Sequence, residues 1–99
     1  MRLRYTPRAC RHLDAIAEYI AERNPNASRR VGARIRETID LLAAFPYMGH
    51  VGELPGTREM VVPGLPYIVG YRIEVSDPDT LVILGIYHGV QVRPGQRRP

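Results

Sequence analysis

The apolar residues of this chain change their spacing between its first and second halves, and that change restricts the possible folds. In the first half they recur every three or four positions, as expected for amphipathic helices. In the second half they alternate with polar residues, as expected for half-buried strands. A length of 99 residues supports one hydrophobic core. The sequence therefore predicts a single α+β domain over residues 1–99, with helices packed on a sheet.

Two helices are predicted in the first half. Thr6-Pro7 supplies an N-cap and a first-turn proline for a helix that extends to about residue 23. Asn24-Pro25-Asn26 ends that helix, and a second one continues until Phe45-Pro46. Two amphipathic helices with a short link are expected to form an antiparallel hairpin. Their apolar stripes are Ala9, Leu13, Ile16 and Ile20, and Val31, Ile35, Ile39 and Leu42.

The strands follow a β-α-α-β-β-β order. Residues 2–5 alternate charged and apolar side chains, which predicts an edge strand. Residues 57–62, 67–75 and 80–88 predict three further strands, and the short turns PGLP and SDPD favour an antiparallel meander. Residues 45–56 are rich in Gly and Pro and are predicted to form a loop.

The middle strand of this meander separates a core face from a polar face. Because successive side chains of a strand point to opposite faces, Arg72 is predicted to point away from the main core. The predicted core face carries Tyr67, Val69, Tyr71, Ile73 and Val75, and the other face carries Ile68, Gly70, Arg72 and Glu74.

Charge and composition exclude several kinds of chemistry. The net charge is +4, and all fourteen cationic side chains are arginine. Without lysine, Schiff-base chemistry and a lysine phosphate clamp are excluded. Three of the arginines lie in residues 90–99, which are expected to form a flexible basic tail. With no long apolar run and no signal-peptide pattern, a cytoplasmic protein without membrane contact is expected.

No metal or cofactor is expected. The three histidines, His12, His50 and His88, lie on different predicted elements, and no HExxH pattern occurs. There is no GxGxxG or Walker loop. Cys10 is the only cysteine and is predicted to be a buried or half-buried, inert thiol.

The polar residues near the strand ends are the candidate binding residues. His88 could act as an acid or base near neutral pH, and Tyr87 could donate a proton or stack on a base. For His88, Arg58 and Glu59 the favoured interpretation is nevertheless structural. His88 is expected to form ordinary hydrogen bonds with the backbone at the strand end, and Arg58 and Glu59 are expected to pair with cross-strand neighbours. The candidates are Arg58, Glu59, Arg72, Tyr87, His88, Gln91 and Arg93.

The order of several short motifs resembles the ParE branch of the RelE/ParE superfamily of bacterial toxins. The motifs are NP in the helical turn, FP…G…G in the loop, GTRE, PYIVGYR, and ILGIYHG followed by Gln91. The resemblance implies a RelE/ParE-like fold, with an N-terminal helical hairpin on a small antiparallel sheet. It also implies the toxin of a type II toxin-antitoxin system, held in a hetero-oligomer by a ParD-like antitoxin and reaching operator DNA only through that antitoxin.

The resemblance leaves two targets open. ParE-like toxins poison DNA gyrase, whereas RelE-like toxins cut mRNA on the ribosome. Ile68 stands where the resemblance to RelE-like ribonucleases would place an arginine. On the preceding strand those ribonucleases use several lysines, and the only cation at that place here is Arg58. Both differences favour gyrase as the target and a mechanism by binding alone. The alternative is an mRNA endonuclease using His88, Tyr87, Arg58 and Arg72, and a further one is an inert antitoxin-binding module. Arg72 is expected to pair with an acidic residue of the antitoxin or the target.

Overall fold

The computed structural model describes residues 1–89. Gln91, Arg93 and the expected tail 90–99 lie outside the described residues. The elements are β1 (Arg2–Tyr5), α1 (Pro7–Ala21), α2 (Pro25–Ala44), β2 (His50–Val51), β3 (Arg58–Val61), β4 (Tyr67–Ile73) and β5 (Thr80–His88).

Both helices begin as their sequences predict. The Thr6 hydroxyl accepts a 3.1 Å hydrogen bond from the backbone N–H of Ala9, and Asn24 caps α2 through the N–H of Ala27 at the same distance. The helical hairpin is confirmed, and α1 ends two residues before the predicted boundary. Within residues 1–89, neither helix has the length and apolar character needed to cross a membrane.

The sheet contains five strands in the order β1-β5-β4-β3-β2. The antiparallel meander of β3, β4 and β5 is confirmed, and β1 is an edge strand as predicted. The sheet is mixed rather than wholly antiparallel, because β1 runs parallel to β5, with Leu3 opposite Leu81. Alternation of side chains reports which face a residue occupies and carries no information on strand direction, so the sequence pattern missed this pairing.

The prediction of a plain loop over residues 45–56 was wrong at one point. His50–Val51 forms β2, which pairs antiparallel to β3 and places His50 opposite Glu59. Gly49 allows this close approach, since a Cβ atom there would lie 2.6 Å from the Glu59 carbonyl oxygen and from the Tyr71 hydroxyl. A two-residue strand is too short to show an alternation in the sequence.

The core lies between the helical hairpin and one face of the sheet. Tyr71 on β4 and Ile83 on β5 are opposite each other and have no exposed surface. Cys10 is exposed, which contradicts the prediction of a buried or half-buried thiol. The buried apolar residues of this core are Ala9, Ile35, Ile39, Leu42, Val62, Val69, Tyr71, Leu81, Ile83 and Ile86.

A β-bulge interrupts the pairing of β4 with β5. Gly70 pairs with Gly85 and Tyr71 with Ile83, so Leu84 is an extra residue on β5. The bulge shifts the alternation along β5, and Ile86 rather than Gly85 continues the core face after Ile83.

The face of the sheet opposite the helical hairpin is here called the outer face. Because residues that pair across neighbouring strands share a face, the register identifies its side chains. They form three rows across the sheet: Val61, Ile68 and Tyr87, then Glu59, Gly70 and Gly85, then Arg72, Val82 and Arg4.

Candidate functional site

The middle of the outer face is built around Tyr87, whose ring lies over a pair of glycines. A Cβ atom on Gly85 would approach the Tyr87 hydroxyl to 2.6 Å, and one on Gly70 would approach the ring to 3.2 Å. The two glycines leave room for the ring above them and are here called the glycine floor. A shallow pocket opens beside it, and its lining consists of Leu54, Thr57, Arg58, Glu59, Gly70, Leu84 and Tyr87.

The third row of the outer face carries an ion-pair network. One Glu74 oxygen accepts from Arg72 at 2.9 Å and the other accepts from Arg4 at 2.5 Å. Hydrogen bonding from Arg72 is the main cause that lowers the pKa of Glu74, so this carboxylate stays charged between the two arginines. The predicted orientation of Arg72 away from the core is confirmed by its register opposite the outer-face residue Val82.

A second ion pair lies beside this network. Arg2 and Asp77 pair through a guanidinium–carboxylate contact. The hydroxyl of Thr80 and the backbone N–H of Asp79 donate to Asp77, and these bonds lower the pKa of its carboxyl. The turn before β5 is therefore held by the same carboxylate that meets β1.

Arg58 contacts the loop before β2. Its guanidinium donates to the Gly49 carbonyl at 2.6 Å and to the Tyr47 carbonyl at 3.2 Å, and it lies 5.3 Å from the centre of the Tyr47 ring. Arg58 is opposite Tyr71 in the register and so belongs to the side of the sheet that faces the hairpin. This arrangement agrees with the structural interpretation that the sequence favoured for Arg58, and these bonds hold β3 against the loop.

Glu59 lies on the outer face next to His50. The nearest distance from its carboxylate to the imidazole Nε2 is 3.3 Å, and the two residues are opposite each other on β3 and β2. The Glu59 side chain is largely buried, whereas His50 is exposed. Cross-strand contact, the ordinary alternative for Glu59, is therefore present.

His88 and Tyr87 are neighbours in the chain but face opposite sides of the sheet. His88 is opposite Tyr67, and the two rings meet edge to face with centroids 5.6 Å apart. Tyr87 is opposite Ile68 on the outer face. By register, Tyr87 and Arg72 lie on one face and His88 and Arg58 on the other, but Arg58 also lines the pocket beside Tyr87.

His12 is a polar residue that the sequence patterns did not single out for a binding role. Its Nδ1 accepts a 3.1 Å hydrogen bond from the backbone N–H of Ile86, and its ring meets that of Tyr87 at 5.3 Å. Burial, followed by the charges of Arg8 and Arg11, lowers the pKa of His12. Its position beside the apolar stripe of α1 was the one available signal.

Across residues 1–89, the potential metal-binding side chains do not gather in a group of three or more. The outer face combines a shallow pocket, a tyrosine and an arginine network. It can recognise a partner through apolar contact and through bidentate ion pairs.

Sequence comparison identifies the family to which this chain belongs. The sequence profile of the ParE toxin of the type II toxin-antitoxin system parDE matches residues 3–93. The chain belongs to the ParE toxin family. It is the toxin of a type II toxin-antitoxin system within the ParE/RelE group, and the predicted family and fold are thereby confirmed.

Individual relatives agree with this assignment. Y4kP of Sinorhizobium fredii, which is named as a toxin, is 43% identical over 83 residues, covering 84% of this chain and 85% of the relative. Toxin RelE2 of Caulobacter vibrioides is 32% identical over 93 residues, which are 94% of this chain and 93% of the relative.

Solved structures agree as well. The chromosomal ParDE system of P. aeruginosa has a chain that superposes with a TM-score of 0.77 at 25% identity, covering 89% of this chain and 95% of that one. The intact E. coli RelBE toxin-antitoxin complex contains a chain with a TM-score of 0.63 at 9% identity, covering 91% and 98%, which is a likeness of fold.

Proposed function

We propose that this toxin inhibits DNA gyrase by binding to it through the outer face, and that a ParD-like antitoxin neutralises it by covering the same face. On this proposal the toxin breaks no bond itself. Its effect is to trap gyrase in the state in which the DNA is cleaved, and growth arrest follows from the trapped complex.

The observation that carries the proposal is the position of His88, the acid or base candidate, on the opposite face of the sheet from Tyr87 and Arg72. Cleavage of RNA by attack of a 2′-hydroxyl needs an acid, a base and cations around one phosphate. Here His88 faces Tyr67, while Tyr87 lies on the outer face. Arg58 is held by two loop carbonyls. Such an arrangement supports recognition of a partner more than acid–base chemistry at a phosphodiester.

The composition of the outer face also supports a binding role. Val61 is about half exposed, and with Ile68 and Tyr87 it forms an apolar row across three strands. Arg72 and Arg4 share one carboxylate and keep further N–H donors for a carboxylate or phosphate of a partner. An apolar row and a cationic row, separated by the row of Glu59, Gly70 and Gly85, fit a protein surface of mixed character.

The test is a supercoiling and DNA-cleavage assay with purified gyrase and antitoxin-free toxin, run beside a cell-free translation reaction. We expect cleaved DNA to accumulate while translation continues. Tyr87→Ala should lower the potency about tenfold or more, as expected for a central aromatic contact. Tyr19→Ala, which removes a tyrosine that is 61% exposed on α1, is the matched control and should keep full potency.

A second candidate function is kept because two relatives at 32% identity are named as RelE toxins. Codon-positioned cuts in mRNA with gyrase unaffected would replace the gyrase proposal, and His88→Ala would then be the first variant to test. A chain that binds antitoxin but affects neither gyrase nor translation, and that causes no growth arrest on induction, would be an inert antitoxin-binding module.

Deletion of residues 90–99 should weaken arrest if the basic tail contributes to the contact with gyrase or its DNA.

A further inference from the structure

The second half of β5 has a free edge that side chains of the α1 region close. β1 pairs with β5 only as far as Tyr5 opposite Ile83. Beyond that point the Thr6 hydroxyl donates to the Leu84 carbonyl at 3.1 Å, and His12 accepts the Ile86 N–H at 3.1 Å. His12 therefore occupies the position that a neighbouring strand would take, and it satisfies a backbone donor that would otherwise face the helix unpaired.

The same imidazole touches the side of the Tyr87 ring. The two ring centroids are 5.3 Å apart and the planes make an angle of 67°, which is an edge-to-face contact. The hydroxyl end of the ring lies over Gly85. A Cβ atom there would come within 2.7 Å of the tyrosine Cζ, so only glycine leaves room for the ring at this place. Tyr87 is thus held between Gly85 below it and His12 beside it.

The hydrogen bond from Ile86 defines the protonation state of His12. A nitrogen that accepts carries no proton, so the imidazole is neutral and bears its hydrogen on Nε2. The charged groups that act on it are Arg8 and Arg11 of its own helix, and Tyr87 is its titratable neighbour on β5. Burial and the two arginines keep the pKa of His12 below its ordinary value of 6.5, in agreement with the geometry.

We propose that His12 is a positioning residue, whose neutral imidazole holds the Tyr87 ring on the glycine floor and so maintains the outer face in its binding-competent form. Protonation of Nδ1 replaces the acceptor with a donor that faces the Ile86 N–H. The bond is then lost, and the ring loses its support on the β5 edge. The functional part of this inference rests on the proposed role of the outer face, and the spectroscopic part does not.

The first test follows the Tyr87 ring and the Ile86 amide of the full chain by NMR between about pH 8 and pH 5, which spans the ordinary histidine range. We expect both signals to shift together, with one midpoint below 6.5. His12→Asn should abolish the shift, because an asparagine Oδ1 can take the place of Nδ1 without titrating. His50→Asn is the matched control and should leave the shift unchanged. Persistence of the shift in His12→Asn, or its loss in His50→Asn, would overturn the proposal.

A second pair of variants separates the hydrogen bond from the ring contact. His12→Phe keeps an aromatic ring beside Tyr87 and removes the acceptor, so the Ile86 amide should exchange faster with solvent while the ring contact remains. His12→Asn keeps the acceptor and removes the ring, so the amide should stay protected. Equal protection of Ile86 in both variants would contradict the role assigned to His12.

The functional arm measures binding of gyrase to folded variants at neutral pH. His12→Ala should weaken binding by about tenfold, equivalent to about 1.4 kcal/mol, and His12→Asn should recover part of that loss. If wild-type toxin itself does not bind gyrase, the proposed target is wrong, and the NMR result still decides the role of His12. Wild-type affinity in both His12 variants, measured with a wild-type toxin that does bind, would remove His12 from the binding mechanism.

Discussion

The guanidinium of Arg58 donates a 2.6 Å hydrogen bond to the carbonyl oxygen of Gly49. The same group reaches the Tyr47 carbonyl, so one side chain of β3 holds two carbonyls of the loop that precedes β2. A cation engaged in this way stabilises the loop against the sheet.

We therefore expect Arg58→Met to lower the free energy of unfolding by about 1–3 kcal/mol, as for other lost charge-assisted hydrogen bonds. Denaturant unfolding measures the change. Arg30→Met, at an exposed position of α2, is the control and should alter stability by less than about 0.5 kcal/mol. Unchanged stability of Arg58→Met together with lost toxicity would indicate that Arg58 serves a ligand instead.

Tyr71 fastens the other side of the same loop. Its hydroxyl donates to the Pro46 carbonyl at 2.7 Å and accepts from the Gly49 N–H at 3.2 Å. Because Tyr71 has no exposed surface, Tyr71→Phe leaves a buried N–H and a carbonyl without this partner. We expect a loss of about 1–3 kcal/mol in unfolding free energy. The exposed Tyr19→Phe is the matched control, and equal effects of the two substitutions would contradict the importance of the buried hydroxyl.

The helical hairpin and the meander could be predicted because long periodic stripes and short turns determine them locally. Asn24-Pro25 and Phe45-Pro46 mark helix boundaries that the structure reproduces. β2 and the parallel pairing of β1 were missed, since both depend on contacts between residues distant in the chain. Local patterns carry little information on such contacts.

The candidate site, like the fold, could be predicted only in part from the sequence. Alternation along the middle strand correctly placed Arg72 away from the core. The position of Tyr87 depends on the bulge at Leu84, which shifts the alternation of β5 and has no sequence signal of its own here. His12 was missed because its role is to meet the edge of a strand more than seventy positions away in the chain.

The Arg72–Glu74 pair predicts a dependence of stability on acid. The folded state lowers the pKa of Glu74 below its ordinary 4.5, mainly through the hydrogen bond from Arg72. The unfolded state then binds more protons, so the stabilisation is present above pH 4.5 and is lost as the pH falls through the lowered pKa. Arg72→Gln should therefore be less stable than wild type at neutral pH, and the difference should shrink on acidification. Unfolding curves at several pH values measure this, and a difference that grows in acid would contradict it.

Reversing the charge of Arg72 tests the outer face directly. Arg72→Glu places a second carboxylate beside Glu74 and should repel an acidic partner, so we expect antitoxin affinity or gyrase inhibition to fall by at least about tenfold, or about 1.4 kcal/mol. Arg72→Gln separates this repulsion from the simple loss of a cation. Arg30→Glu is the control for net charge. Unchanged antitoxin affinity and unchanged toxicity in Arg72→Glu would remove Arg72 from the recognition surface.

Gly85→Ala tests the glycine floor beneath Tyr87. The new methyl group would lie 2.6 Å from the Tyr87 hydroxyl and 2.7 Å from its Cζ, so the ring has to move off the floor. We expect toxicity to fall, with a loss of about 1–3 kcal/mol in unfolding free energy from the overpacking. Gly89→Ala is the control, because its methyl group would meet only the Pro66 backbone, at an ordinary 3.5 Å.

A double variant separates the loss of stability from the loss of toxicity in Gly85→Ala. Adding Tyr87→Ala to Gly85→Ala removes the steric conflict, so the cost of overpacking should disappear while toxicity stays low. Stability and toxicity recovering together would mean that Tyr87 only obstructs the floor. Toxicity that stays low after the conflict is relieved would mean that the aromatic ring itself is the part of the outer face that meets the target.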